Sequence, residues 1–509
     1  MATSLTAAAL SRLLGAWNRG SGPAYRELAD VVRLLILDGR LPLETALPSE
    51  RALSEAVGVS RTTVTAAYAS LREQGFLSSG QGSRGRTRIP GAARSGQQEP
   101  GPARLAAGLP GIRFPGAGPA ATAPAMTAPG LAAPEGLVDL AYSALPASGE
   151  LVHRAFAAAM TELPALLPGF GYDAVGLLPL RQAIADRYTA AGVPTRPAQI
   201  LVTSGAQHAL TIILRTLVDR HDRVLVEHPS YPNALDAIRA ARCRPVPVPF
   251  AADGWDMPAL ELAIAGQRPA LAYLVPDFHN PTGMIMPDGQ RRRLARAADA
   301  AGTILVADET LRELNLDGVS STPLAAFSSA VLTIGSLSKS HWGGLRTGWI
   351  RASEPMIQRL AAARTTLDLG GPMMEQLAAA HLVRALDEPP PARLESLRTN
   401  RAALLKLLRE HLPEWETTYP VGGLSVWCRL PAPSSTALTV LAPEFGIRLA
   451  AGPRFGIGGA FERNLRVPFT LPPGKLEAAV LALRAAQEKL DAAPQLRRTL
   501  KDAPATAIA

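Results

Sequence analysis

A chain of 509 residues, 47% hydrophobic and 19% charged, has a globular composition and is too long for one hydrophobic core, which predicts two or three domains. Its net charge of +9 is uneven: residues 1–90 hold 11 arginines, no lysine and 7 acidic residues, and Arg94, Arg104 and Arg113 against Glu99 follow directly. A basic amino-terminal part favours a phosphate-rich partner; Cys243 and Cys428 match no metal-ligand spacing, and no apolar run is long enough to span a membrane.

Both thiols are expected to be buried in a reducing cytoplasm, and no metal site is expected. Residues 1–17 carry Leu5, Leu10, Leu13, Leu14 and Trp17 at helical spacing. They lack the basic start and continuous apolar stretch of a signal peptide.

Residues 25–39 read as a helix, with Tyr25, Leu28, Val32, Leu35 and Ile36 on one face and Gly39 at its end. Ser49 can cap a short helix reaching Val57. Gly58 supplies a turn, and Ser60 caps a second helix to about Gln74. This is the layout of a helix-turn-helix, whose second helix enters the major groove by its start. Ser60, Arg61, Thr62, Thr63 and Thr65 occupy that start, while Val64, Ala67, Tyr68 and Leu71 read as core. Arginine can bond guanine bidentately, and threonine a base edge or a phosphate. A glycine-rich hairpin follows, with Arg84 and Arg86 near its tip, suited to lying along a phosphate backbone.

Leu47-Pro48-Ser49-Glu50-Arg51, Val59-Ser60-Arg61-Thr62-Thr63-Val64, Ala67-Tyr68 and Gly80-Gln81-Gly82-Ser83 resemble the winged helix-turn-helix of GntR-type bacterial regulators. The resemblance implies binding to double-stranded operator DNA as a homodimer. A DNA-binding domain is thus expected over residues 1–89.

Residues 90–136 are rich in Gly, Pro and Ala, a composition that builds no core and suits a tether. From 137 to 490 short apolar runs at 199–203, 223–226, 271–275, 303–307 and 330–334 alternate with helical segments. This predicts an α/β fold with a mainly parallel sheet, whose ligands sit at the carboxyl ends of the strands. Residues 491–509 read as a disordered tail.

Five candidate pieces follow those strands. Ser204-Gly205-Ala206-Gln207 opens a helix, whose start favours phosphate. Tyr231 can stack on a flat ring, Asn280 can bond a ring hydroxyl, and Asp308 can pair with a pyridinium nitrogen. Lys339, one of only five lysines, can condense with an aldehyde, with Ser336, Ser338 and Arg346 to hold a phosphate.

In this order the pieces resemble fold-type I pyridoxal-phosphate (PLP) enzymes of the aminotransferase class. The resemblance implies PLP as cofactor and Lys339 as its covalent lysine. It implies Tyr172 as a residue reaching the partner subunit's phosphate, and Arg466, in Asn464-Leu465-Arg466-Val467, as the carboxylate-binding arginine. Two positions depart from the pattern. Leu311 stands where the family often has a tyrosine donating to the ring oxygen, and leucine cannot donate. Gly343 replaces the usual proline.

Together, head, linker and body resemble MocR-type regulators. That implies a cytoplasmic, nucleoid-associated transcriptional regulator in which an amino acid, an amine or PLP itself is the signal. The alternative is a working aminotransferase carrying a DNA-binding appendage.

Overall fold

The computed structural model describes residues 5–15, 17, 23–38, 40–43, 45–78, 85–88, 137–251, 254–384, 390–493, 495 and 499–500. The expected linker and Arg84 lie outside these residues.

The amino-terminal part is helical. α1 (Ala7–Leu14) starts at Thr6, whose hydroxyl accepts from the Ala9 amide. α2 (Ala24–Leu37) buries Leu28, Val32, Leu35 and Ile36 along one side, as its spacing dictates. α3 (Glu50–Val57) is capped by Ser49 and stopped by Gly58 in the left-handed region at φ +70°. α4 (Arg61–Glu73) is capped by Ser60, which accepts from the Thr63 amide at 3.1 Å. Bridges between Ala46 and Arg86 and between Leu77 and Thr87 form the base of the wing.

The body is built on strands β1 (Val138–Asp139), β2 (Ile200–Thr203), β3 (Arg223–His228), β4 (Arg244–Ala251), β5 (Gly254–Trp255), β6 (Leu271–Leu274), β7 (Ile304–Asp308), β8 (Leu332–Ser336) and β9 (Gly348–Arg351). All but β1 form one 8-stranded sheet, in the order β2-β9-β8-β7-β6-β3-β4-β5. The five strands β8, β7, β6, β3 and β4 run parallel; β9 is antiparallel to both neighbours, and β5 is antiparallel to β4. The sheet is apolar on both faces, as a parallel sheet covered by helices must be. In β3, Val224 and Val226 pack into one core and Leu225 into the other.

A smaller antiparallel sheet joins β10 (Glu416–Thr417), β11 (Ser425–Arg429), β13 (Ala450–Ala451) and β14 (Asn464–Pro468), in the order β10-β11-β14-β13. β1 pairs instead with β12 (Ile447–Arg448). The last long helix, Pro473–Ala492, runs past the boundary expected at 490, because Leu483, Ala486 and Leu490 continue its buried stripe. No described helix is long and apolar enough to cross a membrane.

Candidate functional site

The parallel strands end at one edge of the sheet, and the residues that follow them converge there. They line a cavity of about 240 Å³ whose walls include Ala206, Gln207, Tyr231, Asn280, Asp308, Leu311, Ser336, Ser338, Lys339 and Arg346. Segments more than a hundred residues apart in sequence meet because each strand delivers its carboxyl end to the same place.

One corner suits a phosphate. The helix Ala206–Leu217 begins there, and the amides of its first turn have no partner within the helix. Gly205 sits at φ +93°, and a Cβ on it would lie 2.9 Å from Arg346. A Cβ on Gly348 would meet the Gly205 backbone at 2.7 Å, so both glycines are needed for the approach of the two segments. Arg346 donates to the Ser204 carbonyl at 2.7 Å, which fixes the guanidinium beside the helix start. Ser336 donates to the Ser338 hydroxyl at 3.0 Å, and the Gln207 side-chain oxygen is buried without a partner. Ser204 itself stays off the cavity wall and contributes its backbone.

The middle of the cavity carries the titratable groups. Asp308 ends β7 with both oxygens engaged: Tyr273, on β6, donates to Oδ2 at 2.6 Å, and the Thr310 amide to Oδ1 at 3.0 Å. Burial raises the Asp308 pKa, and these bonds and Lys339 pull against it. Lys339 donates to the Ser143 carbonyl at 2.7 Å. Burial, reinforced by Arg466 and opposed by Asp308, lowers its pKa to about 8. Tyr231 accepts from Asn233 at 2.9 Å, and burial raises its pKa.

At the far end Arg466, on β14, donates to the Ala141 carbonyl and approaches Asn280 Oδ1 at 3.5 Å. Its Nε has no partner, and burial lowers its pKa to about 10. A buried guanidinium held mostly by neutral oxygens is an anion site in waiting. The segment 141–143, just after β1, thus ties down both basic groups through its carbonyls. That segment and Tyr273 escape sequence reading, because a carbonyl has no residue-type signature and Tyr273 looks like any apolar strand residue.

Residues present therefore fit PLP. Anion donors stand at one end, a carboxylate ends β7, a lysine of depressed pKa stands in the wall, and a buried arginine lies behind Asn280. Leu311 lines the cavity at 6% exposure, packed with Phe278, Leu314 and Leu424. Tyr172 is 72% exposed and lies outside the cavity of its own chain. Among the described residues no cluster of His, Cys, Asp or Glu is arranged for a metal.

In the amino-terminal part, Arg61 and Thr62 are exposed at the start of α4. The hydroxyls of Thr62 and Thr63 each lie 2.8 Å from Ser60 Oγ. Thr65, expected to face DNA, has its hydroxyl committed within the domain, to Glu50 at 2.8 Å or to the Arg61 carbonyl at 3.0 Å. Arg86 stands at the base of the wing rather than near its tip.

The family described as aminotransferase class I and II matches residues 169–483, and that of bacterial regulatory proteins, gntR family, matches residues 24–86. The chain is 28% identical over 442 residues to the uncharacterized HTH-type transcriptional regulator YdfD of Bacillus subtilis, covering 84% of this chain and 89% of that one. It is 32% identical over 305 residues to the 2-aminoadipate transaminase of Thermus thermophilus, covering 58% and 75%. With the probable rhizopine catabolism regulatory protein MocR of Rhizobium meliloti it shares 30% identity over 343 residues, covering 64% and 65%. The body also superposes on the crystal structure of LysN, the α-aminoadipate aminotransferase of Thermus thermophilus, complexed with N-(5'-phosphopyridoxyl)-L-leucine. The TM-score is 0.65 at 29% identity, covering 70% of this chain and 94% of that one.

Proposed function

The chain belongs to the PLP-dependent aminotransferase class I and II family and joins that fold to a GntR-type DNA-binding domain, and on that premise we propose that it is a transcriptional regulator sensing an amino acid or amine in its PLP site. The observation that carries this reading is the pairing within one chain of an exposed α4 start with a cavity lined by Lys339 and Asn280, against which Arg466 is buried 3.5 Å from Asn280 Oδ1.

When bound, PLP supplies an aldehyde that takes up amines covalently. The chain's own residues bind and orient. The first amides of the helix Ala206–Leu217, with Ser336, Ser338 and Arg346, would hold the PLP phosphate, and Tyr231, Asn280 and Asp308 would hold its ring, with Asn280 offered to the ring oxygen and Asp308 to the ring nitrogen. Lys339 offers an amine that is partly neutral near neutral pH, and Arg466 grips the effector carboxylate. Leu311 leaves the ring oxygen one donor short, which favours capture of the ligand over completed turnover.

Arg61, Thr62 and the wing arginines make the operator contacts, and the protein works in the cytoplasm, at the nucleoid. A homodimer completes the arrangement. Phe170 is 97% exposed, with Leu167 and Tyr172 beside it in sequence and also exposed, and a second copy would cover them and bring Tyr172 to the neighbouring phosphate.

A second reading, a working aminotransferase, is favoured by the intact set of Asn280, Asp308, Lys339 and Arg466. Titration of the PLP-loaded protein with a panel of amino acids, followed by visible absorbance and keto-acid assay, separates the two. A sensor gives a saturable spectral change without sustained keto acid; multiple turnovers would make it an enzyme.

A further inference from the structure

We infer that His208 is the positioning residue of the phosphate corner: as a neutral ring with its proton on Nε2 it holds the turn at Ser204, and through that hold it sets how tightly the PLP phosphate is bound. The inference rests on the phosphate corner proposed at the start of the helix Ala206–Leu217 for its ligand, and on the geometry around Ser204 for its residue.

The peptide groups of Ser204 are gripped from two sides. Arg346 donates to the Ser204 carbonyl at 2.7 Å, and the Ser204 amide donates to His208 Nδ1 at 3.0 Å. His208 stands in the first turn of the helix, so its ring folds back onto the turn that feeds the helix. The Thr203 hydroxyl donates to the Gly205 carbonyl at 3.0 Å within that same turn. The direction of the free amides at the helix start is therefore fixed by how this turn is held.

A fixed carboxylate stands behind the imidazole. His208 Nε2 faces Asp368 Oδ2 at 3.5 Å, and the ring is only 16% exposed. The other oxygen of Asp368 accepts from Arg364 Nε and from the Gly370 amide at 3.1 Å. Arg364 is fully buried, and its Nη1 donates to the Val202 carbonyl at 2.6 Å and the Ala174 carbonyl at 3.0 Å. The support is thus anchored on β2, the strand that runs into the turn.

An amide donating to Nδ1 leaves that nitrogen no place for a proton, so the neutral ring carries its proton on Nε2, toward Asp368. Burial lowers the His208 pKa; Asp368 opposes this, and Arg364 and Arg346 reinforce it. Among the described residues these are the charged groups facing the ring: Asp368 from the turn after the helix Glu354–Arg364, Arg364 from that helix, and Arg346 from the segment before β9. Protonation sets an Nδ1–H against the Ser204 N–H and a second cation beside Arg346, and the turn loses one of its two holds. His208 lies off the cavity wall, so it acts through the turn and not by touching the ligand. A cation there would still attract a phosphate. The sign of the response separates the two roles: positioning weakens PLP binding as the ring is protonated, and direct ion pairing would tighten it.

The test is equilibrium titration of the cofactor-free, full-length protein with PLP and with pyridoxal, which lacks the phosphate, read by visible absorbance from about pH 5 to about pH 8. The reference is His208→Asn, whose Oδ1 replaces Nδ1 as acceptor and does not titrate. Ionisation of the phosphate and of Lys339 is common to both proteins and cancels in the ratio of their dissociation constants. That ratio, wild type over His208→Asn, should lie within about twofold of unity at the upper end and rise about threefold to tenfold toward the lower, as the ring gains its proton. A flat or falling ratio overturns the inference. His208→Leu leaves the Ser204 amide without an acceptor and should weaken PLP by about fivefold or more throughout; wild-type affinity in this variant also overturns it. With pyridoxal the three proteins should agree within about twofold, and a loss as large as with PLP would make His208 a structural residue only. Arg346→Met tests the ligand: if PLP binding ignores it, the phosphate corner is misplaced and the inference falls with it, whereas dependence on Arg346 without dependence on His208 overturns the inference alone. Should His208→Leu fail to fold, the ratio of wild type to His208→Asn decides by itself.

Discussion

The lysine at the head of the cavity has an amine tuned by three influences that can be separated. Burial is the largest, and with the Arg466 charge it favours the neutral amine; Asp308 opposes them. A midpoint of about 8 leaves about a quarter of the amine neutral at pH 7.5, against about one part in a thousand for an ordinary lysine. Only the neutral amine attacks an aldehyde, so the rate of PLP capture should rise with pH through that midpoint and level off above it. Arg466→Met removes a repelling cation and should move the midpoint up. Asp308→Asn removes an attracting anion and should move it down. Because burial is untouched by either change, both variants should stay below the ordinary lysine value. The assay is the initial growth of visible absorbance after mixing cofactor-free protein with PLP, from about pH 6 to about pH 10. A wild-type midpoint near that of a free lysine, or two variants moving in the same direction, would refute the reasoning.

Replacing Arg61 with alanine should weaken operator binding by roughly 1–3 kcal/mol and relax base preference, read by fluorescence anisotropy on matched and mismatched duplexes; unaltered binding would remove Arg61 from the interface. Ser60→Ala deletes the cap on the Thr63 amide and should cost the head about 1 kcal/mol in thermal unfolding, with the body's transition unmoved. Gly205→Ala forces a side chain to φ +93° and places its Cβ 2.9 Å from Arg346. A strain of about 1–3 kcal/mol should weaken PLP by about 5–150-fold, and retained affinity in an equilibrium titration would count against the phosphate corner.

Much of this arrangement is written locally. Ser49, Gly58 and Ser60 mark the helices of the head because caps and left-handed turns are decided by single residues. The body strands announce themselves as short apolar runs, and the rule that ligands gather at strand ends then brings Gln207, Asn280, Asp308 and Lys339 to one cavity. What stays hidden has no local pattern. The Tyr273–Asp308 bond joins neighbouring strands, and the carbonyls of Ala141 and Ser143 act as partners whatever their side chains. The Asp38–Phe461 bond spans the length of the chain, and only the folded molecule places them together. Thr65 is the converse case. Its position on α4 suggests DNA, but Glu50 on α3 lies close enough to take its hydroxyl.

The measurement that bears most directly on the regulator reading is DNA affinity of wild type and Lys339→Ala, each with and without PLP and the panel of amino acids. The account predicts that both proteins bind the selected duplex and that only the wild type changes its affinity when ligand is added. An equal response in Lys339→Ala, or wild-type affinity that ignores every ligand while keto acid accumulates, would contradict it.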